Sequence, residues 1–116
     1  MSPQPDIDMA TLEELQATTD AEFVVEIVDA FCEETPQIIV ELRESLAKQD
    51  WDTFRRAAHS IKSSSMVLGA LNLASQAAEL EQMARDSKLE DVAAKTDSLA
   101  ASYDSVQHAL KGIAHG

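Results

Sequence analysis

His59 is the side chain best placed to do chemistry in this 116-residue sequence. Arg55, Arg56, Lys62, Ser63 and Met66 stand three, four or seven positions from it, and so share its face if the segment is a helix. Ile61 lies two positions on, about 200° around at 100° per residue. It belongs to an opposite stripe of apolar and small residues: Phe54, Ala57, Ala58, Ile61, Ser64, Ser65 and Leu68. A histidine among cations on the solvent side of a helix can act as a nucleophile. Its free pKa is about 6.5, so the neutral imidazole is present at neutral pH. Lys62, one turn on, offers an ammonium group to an anion arriving at the ring. His108 and His115 have no such company: the first sits off the helical seam and the second lies near the chain end.

The run Ala58 to Ala70, AHSIKSSSMVLGA, is similar to the active stretch of histidine-containing phosphotransfer (HPt) domains, H-x-[apolar]-K-[G/S]-S-x-x-x-[apolar]-G. His59, Ile61, Lys62, Ser63, Ser64, Leu68 and Gly69 fill that pattern, and the chain from Trp51 through Arg85 resembles the family as well. The resemblance implies that His59 accepts a phosphoryl group and that Lys62 stabilises it. It also implies an orienting acid or amide on the next helix, twenty-two positions after the histidine, where this sequence has Glu81. An acceptor at Nδ1–H would leave Nε2 as the nucleophile. Gln82, rotated about 100° from Glu81, fits that role less well. Many family members have glycine where Ser63 stands, so the serine is a mild departure. Arg55, Arg56, Ser63, Met66, Gly69 and Arg85 are expected to meet the docked partner, and Arg85 can also form an i, i+4 ion pair with Glu81. Ser64 and Ser65 are expected to be small packing residues. The implied partners are a receiver domain of a response regulator and a sensor or hybrid histidine kinase. No cofactor is implied for the chain itself, and Mg²⁺ is expected on the receiver.

Positioning such a site needs helices. The sequence has three glycines and three prolines and is rich in alanine, leucine, glutamate and glutamine, so an all-α fold is expected. A flexible arm is expected over residues 1–10 and one domain over 11–116. Thr11 with Glu14 makes a capping box for a short helix over Leu12–Ala17. A second helix starts at Thr19 or Asp20, with Phe23, Val24, Ile27, Val28 and Phe31 inward. Pro36 should end it, with Thr35 capping a third helix to Lys48, although one kinked helix over 20–48 also fits. Asp50 caps the helix of His59, and Gly69 closes it. The next helix spans about Asn72–Asp86. Ser87 with Glu90 opens the last, whose seam reads Leu89, Val92, Thr96, Leu99, Tyr103, Val106, Leu110 and Ile113. Short links force antiparallel neighbours, giving an up-down four-helix bundle with a short extra N-terminal helix.

The net charge of −12, from nine basic and 21 acidic residues, argues against nucleic acid and anionic membranes as partners. Arg43, Lys48, Arg55, Arg56 and Lys62 form a local basic group suited to an acidic protein surface. The single cysteine, Cys32, excludes an internal disulfide and reads as core filler. No signal pattern or spanning segment occurs in the sequence, so a cytoplasmic monomer is expected. No glycine-rich phosphate loop occurs, so the chain should not bind ATP or act as a kinase. A helical adaptor without chemistry is the alternative; it leaves the grouping of His59, Lys62 and Glu81 to chance. A di-metal bundle would need Glu-x-x-His pairs, and the residues three before the histidines are Arg56, Ser105 and Gly112.

Overall fold

The computed structural model describes residues 7–115. Five helices follow in order: α1 (Met9–Thr18), α2 (Ala21–Lys48), α3 (Trp51–Val67), α4 (Leu71–Asp86) and α5 (Val92–His115). Helices α2 to α5 pack as a closed ring of neighbours, and α1 lies across α2 and α3. This is the expected antiparallel four-helix bundle with its extra N-terminal helix. The core runs along its axis through Val28, Leu42, Phe54, Ile61, Leu80, Leu99 and Leu110. The most extensive packing is between α3 and α4. Their buried residues include Ala57, Ala58 and Ser65 on one side and Ala74 and Ala77 on the other. Small side chains let the two helices approach closely, and a charged side chain can then reach from one to the other.

Two aspartates start helices as expected. Asp20 accepts from the Phe23 amide at 2.7 Å and Asp50 from the Thr53 amide at 3.3 Å. The other proposed caps are not formed. α1 begins at Met9 behind Asp8, inside the expected arm, and Thr11 donates to the Asp8 carboxylate at 2.6 Å instead of capping. Ile7 is already buried; the expected arm's first six residues lie outside the described ones. Thr19 turns back to the Leu15 carbonyl at 2.6 Å, closing α1. Ser87 ends α4 rather than opening α5. Its amide and that of Lys88 are donated to Ala84 and Met83 at 3.4 and 3.0 Å, so the Glu90 side chain finds no free Ser87 amide to cap.

Pro36 does not divide α2. The helix continues through it for twelve more residues to Lys48, and Thr35 is buried at 2 % exposure within it. Proline at this position removes the amide that would bond the Cys32 carbonyl, four residues back. The Tyr103 hydroxyl of α5 supplies the missing donor, reaching that carbonyl at 3.2 Å. Pro36 itself is exposed, at the edge of a groove that it lines with Ala100, Tyr103 and Asp104 of α5. Burial pushes the Tyr103 hydroxyl up to about 12, which keeps it a donor at every ordinary pH.

α3 ends in a Schellman turn. Gly69 has φ +77°, its amide bonds Met66 and the Ala70 amide bonds Ser65 at 2.8 Å. Gly69 is also where the N-terminal segment lands: the Asp8 amide donates to its carbonyl at 2.6 Å. A Cβ there would lie 2.6 Å from the Asp8 carbonyl oxygen. No described helix is long and apolar enough to cross a membrane.

Candidate functional site

His59 projects from the outer face of α3 with 56 % of its side chain exposed. Its Nδ1 lies 3.0 Å from Oε2 of Glu81, which comes across from α4. Lys62, one turn after His59, donates to the other oxygen, Oε1, at 2.8 Å. Arg85, one turn after Glu81, approaches Oε2 at 3.4 Å. One carboxylate therefore gathers an imidazole, an ammonium and a guanidinium from two helices. Among the described residues nothing hydrogen-bonds Nε2, and the ring opens into a shallow depression lined by Arg55, Arg56, His59, Ser60, Glu81 and Arg85.

The Glu81 side chain is 9 % exposed, covered by the three groups it binds rather than sunk in the apolar core. Burial alone would push its carboxyl up. Hydrogen bonds from Lys62 and His59, with their charges, outweigh that and hold it below the ordinary carboxylate value. It is thus ionised at neutral pH and an acceptor only, which assigns the Nδ1 proton to the ring and the lone pair to Nε2.

A family model described as Hpt domain matches residues 26–111, most of the chain. The chain belongs to the Hpt domain family. A search of the solved structures adds histidine-containing phosphotransfer protein B (HptB) from Pseudomonas aeruginosa PAO1. That crystal structure is 27 % identical, with a TM-score of 0.89 over 97 % of each chain. No curated protein matches. As an Hpt domain the chain is a histidine phosphotransfer unit of two-component signalling, a class that works between kinases and response regulators as carrier rather than kinase.

The other residues singled out in the sequence are distributed unevenly around this Hpt centre. Ser63 and Met66 are exposed on the same helix, Met66 at 54 %. Arg55 and Arg56 line the depression, but both lean back on Asp52, Arg55 at 2.9 Å. Gly69 does not belong to an accessible surface: it is buried under Asp8 and Thr11, so its place in the motif reflects the turn and the seat it gives the N-terminal segment. Ser65 is fully buried, in keeping with a packing role, whereas Ser64 is half-buried and bonds back to the Ser60 carbonyl at 3.1 Å. Sequence reasoning missed two features. Asp52 neutralises part of the basic face, a pairing readable from its i+3 and i+4 spacing. Lys62 is bound to Glu81 rather than standing free, and that contact joins residues nineteen apart on different helices.

Proposed function

We propose that His59 is the phosphoryl-carrying residue of this Hpt domain. Its Nε2 attacks the phosphorus of an aspartyl phosphate on a receiver domain, or of a histidine kinase's donor, and later yields the group to a receiver aspartate of a response regulator. The observation that carries the reading is the 3.0 Å contact of Nδ1 with Glu81, which leaves an unencumbered Nε2 on an exposed ring. Lys62 and Arg85, both on the Glu81 carboxylate, are cations beside the ring that would help balance the arriving dianion. Arg55, Arg56, Ser63 and Met66 would border the docked receiver. That receiver would bring Mg²⁺ and the acidic pocket around its aspartate. A cytoplasmic monomer is the form in which the chain would act.

Incubation with a phosphorylated receiver domain tests this. The label should move to the chain, resist base, be lost in acid and be absent from His59→Gln. Equal labelling of that variant would put the acceptor elsewhere. An adaptor without chemistry would bind its partners with or without the imidazole.

A further inference from the structure

We propose that Asp52 holds Arg55 and Arg56 in reserve beside His59, and that a phosphoryl group on Nε2 draws them off that carboxylate and onto its own oxygens. The inference rests on His59 being the acceptor. Asp52 stands seven positions before His59, and so on the same face of α3. One of its oxygens takes Arg55 at 2.9 Å and the other takes Arg56. Both arginines also line the depression into which the ring opens. Among the described residues neither makes another ion pair.

The charges around the ring are balanced for such an exchange. Lys62, Arg85, Arg55 and Arg56 are four cations, and Glu81 and Asp52 are the two carboxylates that hold them. Two positive charges are left over, the charge that a phosphoryl dianion brings. The two carboxylates are not equivalent. The Glu81 side chain is 9 % exposed, and losing its cations would leave a covered charge without partners. Asp52 is 57 % exposed, so water can take the place of the arginines. Exposed pairs of this kind favour the bound arrangement by no more than about fivefold. A phosphoryl group offers three oxygens and twice the charge, and a guanidinium binds phosphate through paired N–H donors. A guanidinium on those oxygens slows loss to water. As the Nε2–P bond breaks, its electron pair stays on nitrogen and the departing group is metaphosphate-like, with less charge for a cation to hold than the bound dianion has. Water then adds to phosphorus to give inorganic phosphate, and the ring is left neutral with its Nδ1 proton. Asp52 competes for the same guanidiniums and so shortens the life of the loaded ring.

The test loads the full chain from phosphoramidate, a small-molecule donor that needs no partner protein, and follows phospho-His59 by ³¹P NMR once the donor is removed. Asp52→Asn should lengthen its lifetime by about two- to fivefold. Arg55→Gln together with Arg56→Gln should shorten it. Adding Asp52→Asn to that pair should change nothing, because no arginine is left to release, whereas a structural role of Asp52 would persist there. An equal or shorter lifetime in Asp52→Asn, an unshortened one in the arginine pair, or an Asp52→Asn effect that survives the loss of both arginines would overturn the exchange and leave the carrier reading intact. Phosphate found elsewhere than on His59 in the parent chain, or nowhere, would overturn both.

Discussion

Glu81 binds three donors with two oxygens, and its charge has a consequence for stability as well as for chemistry. Its carboxyl is held below the ordinary value in the folded chain, so the folded state takes up its proton at lower pH than the unfolded state. The stabilisation is present above the ordinary glutamate pKa of about 4.3 and is lost as pH falls through the folded value. Glu81→Gln should therefore flatten the acid limb of a Tm-against-pH curve below about pH 5, followed by circular dichroism. An unchanged acid limb would assign the acid sensitivity to other carboxylates. At this scale the sequence was legible for His59 and Lys62, whose shared face follows from helical spacing alone. Glu81 was reachable only through family likeness, because no local rule links residues twenty-two apart. The binding of Lys62 by Glu81 was invisible for the same reason.

At the level of helices, α2 depends on α5 for its continuity. Tyr103→Phe leaves the Cys32 carbonyl without a donor and should cost about 1 kcal/mol in chemical denaturation. Restoring the backbone amide with Pro36→Ala should remove most of that cost, so the two substitutions should be strongly non-additive in a double-mutant cycle. Simple additivity would mean that the hydroxyl does not stand in for the missing amide. This also explains why the sequence left Pro36 open between a break and one continuous helix, and favoured the break. The rule that proline stops a helix is local, and the compensating hydroxyl lies seventy-one residues from the carbonyl it satisfies. Ser87 misled differently: it suits a helix start, but the end of α4 took it first, in the left-handed region at φ 57°. Glycine has no penalty there, so Ser87→Gly should raise stability by about 0.5–1 kcal/mol in the same assay. Gly69→Ala should do the reverse and cost about 1 kcal/mol or more, because the residue has φ +77° and a methyl would strike Asp8. The Asp caps and the middle of the α5 seam were legible because each is a local pattern: Val92, Thr96, Leu99, Tyr103, Val106 and Leu110 are all buried, whereas Leu89 precedes the helix and Ile113 is exposed near its end.

Across the whole molecule the net charge of −12 is only locally relieved. Arg43 reaches Asp97 at 2.7 Å and Lys95 reaches Glu79 at 3.1 Å, both near the surface where such pairs contribute little. The remaining carboxylates repel one another, so raising salt from about 0.01 to 0.15 M should raise Tm by screening that repulsion. A fall in Tm would instead make the surface pairs the dominant electrostatic effect. Fold class and helix order were legible in the sequence because alternation and composition act along the whole chain. The tethering of the N-terminal segment to Gly69 was not, since it joins residues 61 apart by two backbone groups that any sequence carries. The anchoring of Glu81 has a last consequence at this scale. The imidazole, ammonium and guanidinium all hang from one acid fixed between two closely packed helices. Under the proposed relay, loading and unloading would leave the contour of the domain unchanged. A visiting regulator would then read cargo from empty by the anion alone, and the direction of traffic would follow the relative phosphorylation of the visitors rather than any switch built into the carrier.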